Sequence, residues 1–167
     1  MIIRTATPDD AEALLAIYRP IVLNTTISFE LEPPTLEQFR QRIERALADY
    51  DWLVAEVDGR PIGYAYGTSH RSRGAYRFAV ETSAYVHPGF YRRGIGLNLY
   101  IKLLPNLAEK GYCSAYAGIA LPNEASTALH KRAGFVYIGV FPSVGRKFGR
   151  WHDVSWWHCR LREEPPE

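Results

Sequence analysis

The sequence predicts one mixed α/β domain, and three observations carry that expectation. Read by hydrophobic period and by capping residues, the elements run β-α-α-β-β-β-α-β-α-β-β, with no internal repeat, low-complexity segment or dividing linker. The length, 167 residues, lies in the single-domain range and can bury a core without disulfide or metal staples. The composition, 47% apolar and 23% charged, is that of a globular protein and not of a disordered or fibrous one. The domain is expected to span residues 1–162, leaving 163–167, charged and Pro-rich, as a frayed tail.

Ile2 to Thr5 reads as a short first strand. Thr7 as N-cap, Pro8 at the first helical position and the acids Asp9 and Asp10 then open a helix in the expected order. Its apolar face is Ala11, Leu14, Leu15, Tyr18, Ile21 and Val22. Residues 24–34 read as a loop that holds Phe29 and Glu30 between polar turn residues. Thr35 and Gln38 form a capping box ahead of Leu36, Phe39, Ile43, Ala46 and Leu47, which recur at helical spacing. Trp52 to Val57 and Pro61 to Gly67 read as strands joined at Asp58-Gly59, a hairpin signal.

A link rich in Gly, Ser and Arg, 68–74, leads to Tyr76 to Val86, β-branched and aromatic enough to be a long central strand broken by His87-Pro88-Gly89. Leu97 to Lys110 reads as a helix stopped by Gly111. Cys113 to Ala120 is a strand; Asn123 caps a short helix to Ala133, and Gly134 ends it. Strands from Phe135 to Phe141 and from Asp153 to Leu161 close the order, with Pro142 to His152 expected as a loop.

Several function classes recede on charge and composition. A formal charge of +2 with interspersed signs argues against nucleic acid or an anionic membrane as partner. The first residues lack the long apolar stretch of a signal peptide or membrane helix, so a cytoplasmic location is expected. Cys113 and Cys159 form no C-x-x-C and are expected as reduced, buried thiols; the histidines show no metal-ligand spacing, so no metal is expected.

The informative stretch is Tyr85-Val86, the break at 87–89, and then Arg92-Arg93-Gly94-Ile95-Gly96 opening a helix. Glycines let successive backbone N–H groups converge without Cβ obstruction, and a helix N-terminus adds a positive dipole end, so the segment suits a pyrophosphate. A Gly-rich turn with solvated arginines is the plainer alternative. The chain has no G-x-x-x-x-G-K-[ST], and Gly94-Ile95-Gly96 lacks the third glycine of a dinucleotide fingerprint. Glu81 also stands out, because a carboxylate in mid-strand among Phe78, Val80, Tyr85 and Val86 is costly unless paired, functional or facing water.

At this point the sequence resembles the GNAT acetyltransferase superfamily, whose cofactor motif has the form Q/R-x-x-G-x-G/A after a central strand. The run from Phe78 to Val86, Leu121-Pro122-Asn123, Leu129-His130 with Gly134-Phe135, Gly149 to Val154 and Trp52 to Ala55 narrow the likeness to the phosphinothricin and methionine sulfoximine N-acetyltransferases. The likeness runs from Ile2 to about Leu161. It implies a mostly antiparallel central sheet flanked by helices, with splayed central strands, and acetyl-CoA as co-substrate without a metal. It also implies a small-molecule amine as acceptor and a symmetric homodimer. The motif's usual Gln or Arg is Tyr91 here, which shifts weight from side chains to the backbone amides of Arg92, Arg93, Gly94, Ile95, Gly96 and Leu97.

The resemblance also implies site roles. Glu81 takes the place of the catalytic glutamate, acting as general base directly or through a water. His130 stands where the wider superfamily carries a tyrosine acid for the departing thiolate; an imidazole could supply that proton or be structural. Backbone groups of Ala84, Tyr85 and Val86 would pair with the pantetheine arm like an added strand, and Asn123 would reach the same arm or simply cap its helix. Arg71, Ser72 and Arg73, with Glu81, Thr82 and Ser83, would line the acceptor pocket, a guanidinium fork suiting a substrate carboxylate. Solvated loop arginines are the alternative. Three functions compete: a small-molecule N-acetyltransferase, a peptide N-terminal acetyltransferase, and a non-catalytic acyl-CoA sensor.

Overall fold

In the computed structural model, which describes residues 1–166, the expected order of elements is present; Glu167, the end of the expected tail, lies outside the described residues. The strands are β1 (Ile2–Thr5), β2 (Trp52–Val57), β3 (Arg60–Ser69), β4 (Ala79–Val86), β5 (Ser114–Ala120), β6 (Val136–Lys147) and β7 (Arg150–Arg160). The helices are α1 (Ala11–Asn24), α2 (Leu36–Asp49), α3 (Ile95–Glu109) and α4 (Glu124–Arg132). One seven-stranded sheet runs β1-β2-β3-β4-β5-β7-β6, antiparallel throughout except between β4 and β5. Among the described residues no helix is long and apolar enough to cross a membrane.

Alternation along the strands, interrupted by a bulge at Ile62 of β3, divides the core into two layers. Trp52 and Val54 of β2 and Tyr64 of β3 turn toward Leu14, Tyr18 and Ile21 of α1 and Phe39 and Ile43 of α2. Leu53, Ile62 and Val80 turn the other way, onto Leu99, Tyr100, Leu103 and Leu107 of α3. Both faces of β2 and β3 are therefore buried, which fixes their register, since a slip by one residue would exchange the two layers.

Three boundaries differ from the expectation. The central strand begins at Ala79 and not at Tyr76, because Gly74–Tyr76 closes a 3₁₀ turn in which the Tyr76 N–H bonds the Arg73 carbonyl at 2.9 Å. Helix α3 starts two residues early, at Ile95, because Gly94 (φ 74°) supplies the left-handed residue that turns the chain into it. Residues 142–152, expected as a loop, are mostly a β-hairpin. Phe148 (φ 52°) and Gly149 (φ 73°) make its two-residue turn, and Lys147 faces Arg150 across it. A phenylalanine at positive φ is uncommon, so the turn carries no composition signal.

The hairpin is tied to α1 through Lys147. Its ammonium, buried with the residue at 4% exposure, donates to the carbonyls of Val22 (2.6 Å) and Ser28 (2.7 Å), joining the hairpin tip to the end of α1 and to the loop after it. Burial pushes the lysine pKa down, while Glu30 nearby opposes that shift. Replacing Lys147 by Met keeps the apolar stem and strands two carbonyls, so urea unfolding should lose about 1–3 kcal/mol of stability. An unchanged unfolding midpoint would remove this tie from the account.

Candidate active site

Strands β4 and β5 share only three parallel pairs, Ala79↔Ser114, Val80↔Ala115 and Glu81↔Tyr116, and then diverge. The His87 N–H bonds the Ile62 carbonyl at 2.8 Å, so by alternation Tyr85 and Ser83 also turn their amides toward β3. Ala84 and Val86 consequently direct theirs into the gap beside β5. Of the three residues expected to offer backbone groups there, Ala84 and Val86 do, whereas the Tyr85 amide belongs to the ladder with β3.

A cavity of about 580 Å³ opens across this gap on the α1 and α2 side. Glu81, Ser83 and Tyr85, spaced by two along β4, line it together with Gly118 of β5 and Trp156 of β7. The Glu81 side chain is 36% exposed, and one of its oxygens lies 3.0 Å from His70 Nδ1. Thr82, expected beside Glu81 in the acceptor pocket, has its side chain on the opposite face of β4, buried near the Tyr100 hydroxyl; only its place in the strand brings it to the cavity wall.

Opposite Glu81 the cavity carries an ion pair that joins Glu30, from a loop that resembles a substrate-pocket segment of the family, to Arg42, a residue the sequence did not single out. Arg42 of α2 donates to both oxygens of Glu30, at 2.9 and 2.5 Å, and the Tyr18 hydroxyl donates to Glu30 while sharing a 2.8 Å hydrogen bond with Ser28. Arg42, and after it Tyr18, hold the Glu30 carboxyl below the usual carboxylate range against its burial. The missed signal is positional. Arg42 falls at helical spacing between Phe39, Ile43 and Ala46, a cation within the buried stripe of α2.

Arg71, Ser72 and Arg73 are exposed and do not line the cavity. The member of that link that reaches the site is His70, whose neighbourhood to Glu81 follows from the register Thr68↔Glu81 and had no local signal. His130 is buried at 6% exposure, with Nδ1 2.7 Å from the Ser126 carbonyl and Nε2 3.1 Å from the Tyr100 hydroxyl. The carbonyl can only accept, so Nδ1 carries the hydrogen; burial pushes the imidazole pKa down, and neutral Nε2 accepts from Tyr100. His130 lines neither that cavity nor the shallower groove beside it. The Asn123 side-chain oxygen accepts from the Ser126 N–H at 3.1 Å, capping α4, and Asn123 lines that groove with Leu121, Pro122 and Lys131.

Beyond the gap, the chain enters α3 through Arg92 (φ 61°) and Gly94 (φ 74°), with Tyr91, Arg92, Arg93 and Gly94 exposed. Among the described residues, no hydrogen bond has the N–H of Arg92, Arg93, Gly94, Ile95, Gly96 or Leu97 as donor, whereas Asn98 N–H closes the first helical bond onto Gly94. Six consecutive free donors at a helix N-terminus are an arrangement that suits an anion. Gly96 brings α4 close: a Cβ there would lie 2.9 Å from the Leu129 side chain.

Known proteins resemble this chain over nearly its whole length. Residues 3–156 match the family model described as an acetyltransferase (GNAT) domain. The chain is 38% identical over 155 residues to a phosphinothricin N-acetyltransferase of Streptomyces viridochromogenes, covering 93% of this chain and 85% of that protein. It is 35% identical over 164 residues to an L-methionine sulfoximine/L-methionine sulfone acetyltransferase of Salmonella typhimurium, covering 98% and 96%. Among solved structures, a GNAT superfamily phosphinothricin acetyltransferase from Sinorhizobium meliloti in complex with AcCoA superposes with a TM-score of 0.94 at 33% identity, covering 99% of this chain and 93% of that one.

The hairpin forms one wall of the cavity, and Gly145 makes that wall possible. A Cβ on Gly145 would lie 2.2 Å from the Phe29 ring, which packs directly on its backbone. Gly145→Ala should displace Phe29 and cost about 1–3 kcal/mol in chemical denaturation. A crystal structure of the variant with Phe29 in its original position would contradict this.

Proposed function

This chain belongs to the GNAT acetyltransferase family and is an acetyl-CoA-dependent N-acetyltransferase, and from that premise we propose that its acceptor is the primary amine of a small amino acid analogue such as phosphinothricin, methionine sulfoximine or methionine sulfone. The observation that carries the reading is a half-exposed carboxylate, Glu81, on a walled cavity at the point where the sheet opens. A sensor has no use for such a group. The walls formed by Phe29 and the β6–β7 hairpin favour a small acceptor over a peptide, which needs an open groove.

The residues present fit acetyl-CoA, which when bound supplies an activated acyl thioester. The free amides from Arg92 to Leu97 would hold its pyrophosphate, and the gap-facing amides of Ala84 and Val86 its pantetheine arm; the Asn123 amide nitrogen could donate further along. Glu81 would take the proton that the acceptor ammonium must lose before its nitrogen attacks in a ternary complex. The new C–N bond would replace the C–S bond, and the second proton lost by the attacking nitrogen would pass to the departing sulfur. We read His130 as the mount of the Tyr100 hydroxyl and not as the donor of that proton, since its Nε2 accepts. Tyr66, Ser83 and the Arg42–Glu30 pair contact the acceptor in this reading, with Arg71 and Arg73 outside, on the exposed link. A cytoplasmic location belongs to the same reading and suits two free thiols.

Among the described residues the edge strand β6 is unpaired on its outer side, and Val136, Tyr137 and Ile138 on it are 54–68% exposed. Such an edge is a template for pairing, and a second copy of this chain is the proposed occupant. Light scattering should give twice the 19.0 kDa chain mass, and Ile138→Lys should yield monomer; a monomeric parent protein would refute the dimer.

The decisive assay is thiol release from acetyl-CoA with phosphinothricin, methionine sulfoximine, methionine sulfone, ordinary amino acids and peptides. Turnover is expected with the first three; turnover with peptides alone would replace the proposal, and none at all would favour a sensor. Glu81→Gln should lower kcat by about 10²–10⁴ with acetyl-CoA binding unchanged. Unchanged turnover would remove Glu81 from the mechanism.

A further inference from the structure

Glu81 needs a fixed orientation to act on an amine in the cavity, and the cavity's own cation cannot provide it. Arg42 is held by both oxygens of Glu30. Among the described residues, the side-chain hydrogen bond that Glu81 makes is with His70, at 3.0 Å from Nδ1. A carboxylate only accepts, so Nδ1 is the donor, whether the ring is neutral or charged.

The ring itself is held from three elements. It stacks on Tyr116 of β5 with centroids 4.7 Å apart and planes at 22°. Tyr76 of the 3₁₀ turn meets it edge-on at 5.7 Å, and Trp156 of β7 at 6.5 Å. Its side chain is only 13% exposed. Tyr116 is the register partner of Glu81 in the last parallel pair before the strands part, so the stack fixes the imidazole at the edge of the gap. The ring is rigid where the glutamate, with three rotatable bonds and 36% exposure, is not.

Resting on the reading of Glu81 as general base, we propose that His70 is its positioning residue. Nδ1–H holds one carboxylate oxygen at the gap and leaves the other free for the acceptor ammonium. Holding a base in reach of its proton lowers the barrier because the geometry is set before the reaction, and a displacement of about 1 Å can cost about 10²-fold in rate.

Two variants separate this role from packing. His70→Phe keeps the ring stacked on Tyr116 and removes the donor; His70→Asn removes the ring and keeps a donor near the position of Nδ1. With the best-turned-over amine of the panel, His70→Phe should lower kcat by about 10- to 100-fold, with KM for acetyl-CoA unchanged. His70→Asn should recover most of that loss. A His70→Phe enzyme with the parent kcat, or a His70→Asn enzyme slower than His70→Phe, overturns the proposal, the second outcome showing that stacking was the role. The combination with Glu81→Gln distinguishes the two layers of the argument. If Glu81→Gln is slow and His70→Phe adds nothing to it, the pair acts as a unit. If Glu81→Gln is as fast as the parent, the base reading fails and this inference with it. If Glu81→Gln is slow while His70→Phe costs nothing, or costs its full effect independently of Glu81, the base stands and His70 is not its positioner.

Discussion

The constraint on which the rest of the structure depends is the parting of β4 and β5 after three pairs. Unpaired backbone groups inside a protein are expensive, and a central sheet is the last place to expect them. Here they are tolerated because the gap is also a cavity wall, where the amides of Ala84 and Val86 can meet water or a ligand strand. The same parting gives Glu81 its position. One residue earlier in the strand, Val80 is sealed in the α3 core at 0% exposure; one residue later, the strands are no longer paired.

Two clusters keep the opening from collapsing. On the α3 face, Tyr100 is fully buried and is held by His130, whose other nitrogen is tied to the Ser126 carbonyl inside α4. On the α1 face, Tyr18, Ser28, Glu30 and Arg42 form one connected network, and Lys147 links its loop to the hairpin. The second cluster joins α1, α2, the loop between them and β6, elements far apart in sequence. Within it the Arg42 and Glu30 charges offset each other, while the Lys147 ammonium is held by two carbonyls.

The order of elements was legible in the sequence because it is local, and the backbone groups proposed to hold the pyrophosphate are local as well. Capping at Thr35 and Asn123 and the left-handed glycine at 111 act over a few residues, and each appears where its local rule puts it. Those backbone groups are likewise consecutive, from Arg92 to Leu97. What local rules could not supply was which side chains meet across the gap. Arg71 and Arg73 have the chemistry of a carboxylate clamp but sit on an exposed link, while Arg42, from a helix read only for its apolar stripe, lines the cavity. His70 reaches Glu81 only through the register of β3 on β4 and the stack on Tyr116. The hairpin turn at Phe148-Gly149 was hidden because a tertiary tie, Lys147 on α1, supports a backbone conformation that phenylalanine rarely adopts alone.

This difference between local and assembled features also separates the two halves of the reaction. In the proposed function the cofactor end is built from main-chain N–H groups, which every residue but proline possesses, so that side chains there can vary, as Tyr91 does. The proposed acceptor end is built from side chains on β4, α1, α2 and the hairpin, whose mutual distances depend on the whole packing. Changing one of them alters what fits while leaving the fold and those main-chain groups intact. A family that keeps its cofactor while diverging in its amine is the expected consequence of holding one substrate with backbone and the other with side chains. The Glu81–His70 pair lies on the boundary between the two, fixed to the sheet by register and to the acceptor cavity by its free oxygen.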